Sequence, residues 1–146
     1  RDRLELFARF DTRWKEHLGS YIKEQTGIKA VLAAADALRD FLKHESNYMR
    51  AMYILWYESL GHESEIRNRL ADHHQVYRKD ATQWIKEGIA SGEIDPAIDA
   101  EQFAVQYCAF IFGVVYQWLV DAEAINLDSL FDDYERNITK LLSSKE

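Results

Sequence analysis

The segment AEQFAVQYCAFIFGVVYQWLVD, residues 100–121, has no charged side chain between Glu101 and Asp121. Wound as a helix at about 100° per residue, it gathers Ala104, Cys108, Ile111 and Val115 on one side. Tyr107, Trp118 and Leu119 flank that stripe. The opposite side carries Gln106, Gly113 and Gln117, edged by Phe103, Phe110 and Val120. A helix side that meets water is normally charged, and a helix that is apolar or uncharged all round is buried all round. In a chain of 146 residues there is little room for a wholly central helix. Either it is the core helix of a monomer, or one side meets the domain core and the other meets a second subunit. The second arrangement is the more economical. Gly113 permits close backbone approach, and the glutamines can hydrogen-bond across a two-fold axis.

The start of this helix is written just upstream, in GEIDPAIDAEQFA, residues 92–104. Gly92 suits the left-handed stop of a preceding helix, and Pro96, the only proline, prevents its resumption. Asp99 followed by Gln102 forms a capping-box pattern. Asp95 and Asp99 could also be read as metal ligands or as an acid pair. A calcium loop needs more oxygen ligands at regular spacing than this stretch has, so the segment reads as a joint.

Helical periodicity continues in both directions, and sustained polar/apolar alternation is absent. A first helix is predicted over about Asp2–Gln25, with a stripe of Phe7, Phe10, Trp14, Leu18, Tyr21 and Ile22, softened or kinked near Gly19 and Ser20. A second follows over Ile28–His44, with Val31, Leu32, Ala35, Leu38 and Leu42 on one face. A third, Asn47–Leu60, is capped by Ser46 and stopped by Gly61. The longest runs from about Ser64 to Ser91, with Ile66, Leu70, His73, Tyr77, Ala81 and Trp84 inward. A sixth, Leu127–Ser143, is capped by Asn126. The prediction is one all-α domain of about six helices spanning residues 1–146.

The bulk numbers exclude several classes. A composition 47% hydrophobic and 29% charged supports a real core rather than disorder. A formal charge of -7 and the lack of a Lys/Arg run argue against direct nucleic-acid binding by this chain. The single cysteine, Cys108, rules out an intrachain disulfide and fits a reducing, cytoplasmic setting. No signal-peptide pattern is present. The longest apolar stretch, Cys108–Tyr116, is too short for a membrane span. The chain opens abruptly inside a helical pattern, which leads us to expect further sequence upstream.

Catalytic and metal chemistry find little support. His44 and His62 each begin an H-E pattern, but Tyr48 and Ile66 stand where the second histidine of a zinc motif belongs. Asp40 with His44 and Glu58 with His62 read as surface pairs near helix ends. His73 and His74 diverge by about 100° on a helix. Cys108 reads as a buried, inert thiol. No nucleophile elbow, phosphate loop or dinucleotide fingerprint occurs. The expectation is no enzyme, no metal and no cofactor, with a helical metal protein or enzyme as the weaker alternative.

What remains is a set of inward aromatics on separate helices: Trp14, Trp56, His73, Tyr77 and Tyr107. Core packing accounts for any one of them. Together, each bringing a polar tip that needs a partner, they suit an apolar ligand pocket with a few orienting groups. Met52 and Ile111 complete the predicted ligand-binding set. The predicted dimer interface is Phe103, Gln106, Phe110, Gly113, Gln117, Phe131, Tyr134 and Ile138.

The stretches QWIKEGIASGEIDPAIDAEQFA (83–104) and FIFGVVYQWLVDAEAINLDSLFDDYERNITKLL (110–142) resemble the C-terminal half of TetR-family transcriptional regulators. The likeness rests on Ile85, Gly88, Ile89, Gly92, Glu93, Ile94, Asp99, Ala104, Gly113, Trp118, Leu119 and the NLDSLFDDY helix. YILWYESLGHESEIRNRLADHHQVYRKD (53–80) fits that family's middle helices, and the match is best from about Ala51 onward. The resemblance implies an effector-binding and homodimerisation domain whose last two helices pair with their copies in a four-helix bundle. It implies a small apolar or amphipathic effector, with no membrane partner. It also implies operator DNA read by an N-terminal helix-turn-helix that these residues do not contain, release of DNA being the family's usual response. Residues 1–25 would be the remainder of the connecting helix. A dimerisation module with a filled core and no ligand is the competing reading.

Overall fold

The computed structural model describes residues 3–61 and 64–143. Six α-helices run through them: α1 (Arg3–Ile22), α2 (Gly27–His44), α3 (Ser46–Ser59), α4 (Ser64–Ala90), α5 (Ala100–Val120) and α6 (Leu127–Leu142), with a short 3-10 turn at Ala122–Ala124. Among the described residues there is no strand, only an isolated antiparallel bridge between Ile94 and Ser143. The all-α expectation holds.

The helix ends explain themselves locally, with some corrections. α1 stays continuous through Gly19 and Ser20. It stops when Lys23 takes a left-handed φ of 53°, its N–H bonding the Gly19 carbonyl. Ser46 is the first helical residue of α3 rather than its cap, a place taken by Glu45 without a side-chain bond. Gly61 keeps ordinary backbone geometry, so α3 ends without the expected left-handed glycine. The caps of α5 and α6 form as read. Asp99 accepts from the Glu101 and Gln102 N–H groups, and Asn126 accepts from Ser129 N–H.

α2 is the central post, packed by α1, α3, α4 and α6, while α4 and α5 pack along each other. Two apolar cores result. One joins Phe7 and Phe10 of α1, Phe41 and Leu42 of α2, α3, and Val115, Leu119 and Phe131. The other joins Val31, Ala81, Ile85, Ile94, Phe103, Ala104, Tyr107, Ile138 and Leu142. Ile111 of α5 packs against both. Full burial of a side chain such as Phe131 (0% exposed) contributes about 1.5–3 kcal/mol. α6 is tied to α2 by Arg39, whose guanidinium reaches Asp36 at 2.7 Å and Asp132 at 3.0 Å, and by Lys43 to Asp128 at 2.6 Å.

The 92–99 joint stitches four helix ends at once, the start of α5 through the Asp99 cap among them. Gly92 has φ +85°, and Glu93 N–H and Ile94 N–H both return to the Gly88 carbonyl, at 2.9 and 3.0 Å. Thr26 makes no side-chain cap for α2; instead the Glu93 carboxylate accepts from Ile28 N–H at 3.1 Å, placing a negative charge at that helix's N-terminus. Asp95 N–H bonds the Leu142 carbonyl at 2.8 Å and so holds the end of α6. The Asp95 carboxylate accepts from Ala97 N–H within the turn. Both aspartates thus have structural tasks.

Contrary to the expectation from the Cys108–Tyr116 stretch, α5, at 21 residues, is long and apolar enough by length and composition to cross a membrane. A core helix passes the same test, and here Ala104, Tyr107, Cys108, Val115 and Leu119 are all buried within the domain.

Candidate functional site

A cavity of about 80 Å³ lies where the two cores meet. Five helices supply its wall: Trp14 and Leu18 from α1; Ala34 and Leu38 from α2; Met49, Met52, Tyr53 and Trp56 from α3; Tyr77, Asp80 and Trp84 from α4; Tyr107, Cys108, Ile111 and Phe112 from α5. That volume exceeds the roughly 10–15 Å³ a single water needs. The wall is apolar and aromatic, with few polar atoms.

Six of the seven residues predicted from sequence to contact a ligand (Trp14, Met52, Trp56, Tyr77, Tyr107 and Ile111) come together on this wall. His73 does not. At position 73, α4 turns the ring outward of the wall, where it stacks on Phe7 at 6.1 Å and meets Trp56 edge-on at 5.8 Å. It touches the cavity through another residue: Tyr77 O–H donates to His73 Nε2 at 2.9 Å. His73 Nδ1 faces the Asp11 carboxylate of α1 at 3.7 Å. Burial holds the His73 and His74 imidazoles below the usual histidine range, partly opposed at His73 by Asp11. A neutral His73 with its proton on Nδ1 fits both contacts.

The polar tips differ in how they are satisfied. Tyr107 O–H donates to the Val31 carbonyl at 2.6 Å, fully inside. Burial pushes the Tyr77 and Tyr107 phenols well above the ordinary tyrosine value, so both stay neutral. Cys108 is pushed up to about 11 by burial, which leaves an inert thiol at neutral pH, as read from sequence. Trp56 Nε1 is buried and finds no acceptor among the described residues. An unmatched donor of this kind costs about 1–3 kcal/mol.

Sequence reasoning missed Leu18, Ala34, Leu38, Met49, Tyr53, Asp80, Trp84, Cys108 and Phe112 as wall residues. Leu18, Leu38, Trp84 and Cys108 lay on predicted stripes but gave no sign of facing a void rather than a neighbour. Asp80 had a usable signal: a carboxylate between Tyr77 and Trp84 on an inward face.

Among the described residues, no group of three or more His, Cys, Asp or Glu is placed to hold a metal ion. Asp40 does not pair with His44. Its carboxylate accepts from Tyr21 O–H, while His44 Nδ1–H donates to the Asp40 carbonyl at 2.8 Å. The Glu58–His62 pair involves a position outside the described residues.

The second feature is the outer face of α5. Gln106 and Gln117 are exposed on it, with Gly113 half-buried between them. They are joined by Val105, Ala109, Tyr116 and Val120, the last 68% exposed. Phe110 and Tyr134 stack at 3.6 Å and 5°, forming the seam between α5 and α6. Three residues predicted for a subunit interface lie elsewhere: Phe103, Phe131 and Ile138 are 5%, 0% and 5% exposed within one chain. The twist of α5 carries Phe103 to the core edge of the helix, and α6 leans on α2, taking Phe131 and Ile138 inward. Ile54 and Tyr57 of α3 and Leu60 just after it extend the exposed apolar surface, Tyr57 touching Tyr116 edge-on at 5.7 Å.

Comparison with known proteins bears on both features. No curated protein sequence matches the chain. Solved structures share the fold, among them two TetR-family regulators. A TetR transcriptional regulator from Chloroflexus aurantiacus J-10-FL superposes with a TM-score of 0.80 at 19% identity, over 95% of this chain and 71% of that one. A bacterial regulatory protein in the tetR family from Rhodococcus RHA1 gives a TM-score of 0.69 at 15% identity, over 97% of this chain and 74% of that one. The sequence model described as "Tetracyclin repressor-like, C-terminal domain" matches residues 27–132, most of the chain and every wall helix except α1. The chain therefore belongs to the TetR family of transcriptional regulators, as a C-terminal domain of that family.

Proposed function

We propose that this domain senses a small apolar or amphipathic molecule in the aromatic cavity and pairs with a second copy through the outer face of α5 and the adjoining side of α6. The observation that carries the reading is the cavity at the junction of two cores, walled by five helices including α1. A ligand there touches Trp14 and Leu18 and so biases where α1 lies. The same wall reaches α1 again through Tyr77, His73 and Asp11. Family regulators are transcription factors rather than enzymes, and in this reading operator DNA is held by a helix-turn-helix outside these 146 residues.

In a dimer, the position of α1 sets the spacing of two DNA-reading heads, which must meet half-sites about 34–36 Å apart or a multiple of that. A coupling of about 1–3 kcal/mol between ligand and DNA changes operator occupancy about 5- to 150-fold. The protein acts in the cytoplasm, where DNA and effector meet. The uncharged outer face of α5 supports pairing, because a face of Val105, Ala109, Gly113, Tyr116 and Val120 left in water is an aggregation liability.

Native mass spectrometry of gently purified protein tests both parts. A dimer carrying a retained small molecule, lost on denaturation, is the expected result. Sedimentation at micromolar concentration with only a 17.1 kDa species would refute the pairing. Failure of every apolar or amphipathic probe to bind, or to raise the thermal midpoint, would refute the sensing role.

A further inference from the structure

The cavity wall holds one side chain that is charged at neutral pH, Asp80. α4 sets it three residues after Tyr77 and four before Trp84, so the carboxylate shares a helix face with two aromatic rings. Among the described residues the Asp80 carboxylate has no hydrogen bond or ion pair. The neighbouring cations do not serve it. Lys15 is committed to Asp11 at 3.0 Å and only partly offsets the charge of Asp80 through space. Arg78 acts on Cys108 and His74. Neither cation is part of the wall. Asp80 stands exposed at the edge of the cavity, and the partial loss of water on its cavity side holds its carboxyl above the usual range.

We infer, on the footing that the cavity is a ligand site, that its ligand is an apolar organic cation: an amine or quaternary ammonium on a hydrophobic body, the charge held by Asp80 and the aromatic rings of Trp14, Tyr77 and Trp84. Aromatic walls with a nearby carboxylate attract such cations through the ring quadrupole and direct charge together. An anionic ligand would meet an unpaired carboxylate on a chain of net charge -7. A neutral apolar ligand would make no use of the charge that Asp80 places at the cavity edge.

The test is a titration of the 146-residue chain, followed by calorimetry and by tryptophan fluorescence, since Trp14, Trp56 and Trp84 all border the cavity. The probes are phenyltrimethylammonium, its neutral isostere tert-butylbenzene, and benzenesulfonate. The cation should bind about tenfold or more tighter than the neutral isostere, with the anion weakest. Asp80→Asn should erase the cation's advantage over the neutral probe, and Asp80→Glu should retain most of it. Equal or tighter binding of the neutral probe, or an unchanged preference in Asp80→Asn, overturns the inference while the cavity keeps its role as a ligand site. If none of the three probes binds, both the inference and the sensing role fall.

Discussion

Gly88→Ala offers a sharp test of how the 92–99 joint is built. In an ordinary helix interior this change stabilises by about 1 kcal/mol, because alanine loses less backbone freedom on folding than glycine. Here the sign should reverse. A Cβ at Gly88 would stand 2.3 Å from Ile94 Cδ1 and 2.7 Å from Ile94 Cγ1, well inside contact distance. Ile94 is fully buried and cannot swing into solvent. The third neighbour, Gly27 Cα at 3.2 Å, is backbone at the start of α2. Relief must therefore come from moving the joint away from α4, and that strains the Ile94 N–H and Glu93 N–H bonds to the Gly88 carbonyl. Overpacking of this kind costs about 1–3 kcal/mol. Set against the propensity gain of about 1 kcal/mol, a net loss of up to about 2 kcal/mol is expected. Gly19→Ala is the control: in the last turn of α1, exposed, with nothing within 4 Å of the new Cβ, it should stabilise by about 0.5–1 kcal/mol. Urea unfolding at fixed protein concentration measures both. A Gly88→Ala protein stabilised as much as Gly19→Ala would show that Ile94 and the joint repack freely, and would refute the argument.

Tyr107→Phe removes the bond to the Val31 carbonyl without changing shape, and should lower stability by about 1 kcal/mol in the same unfolding assay. Stability should also fall as pH rises from about 5 to 8 through Glu135, whose carboxyl is raised to about 8 by burial and by the neighbouring Asp36. The sign follows from the folded state keeping a proton that the unfolded chain has released above its ordinary carboxyl range. That proton also explains why Glu135 Oε2 is buried without a donor: on Glu135 it can bond Asp36. Glu135→Gln should flatten this part of the pH profile, and an unchanged slope would remove Glu135 as its source. Val120→Glu and Tyr116→Glu place a charge on the uncharged outer face of α5 and should shift the sedimentation profile from dimer to monomer with the helical circular dichroism unchanged.

Existence and order of the helices were legible in the chain because they rest on local rules. The 3.6-residue periodicity marked all six, and Asp99 and Asn126 cap their helices through side chains two or three residues from their partners. Gly92 likewise needed only its own φ. The helix ends that failed, at Ser46 and Gly61, are those where a cap residue was present but the chain's path gave it no reason to act as one.

Only the tertiary structure decided the rest, since it depends on which distant surfaces meet. Glu93 is an acidic residue in a turn until α2 arrives, 65 residues earlier in the chain, with an unmatched N–H at Ile28. Phe131 and Ile138 read as interface residues until α6 leans on α2, where Arg39 holds it. The cavity is the clearest case. Periodicity shows which side chains turn inward, and so it named six of the wall residues. Whether inward side chains fill the space between two cores or leave a gap depends on summed volumes and helix separations across five elements. No single stretch of sequence contains that sum.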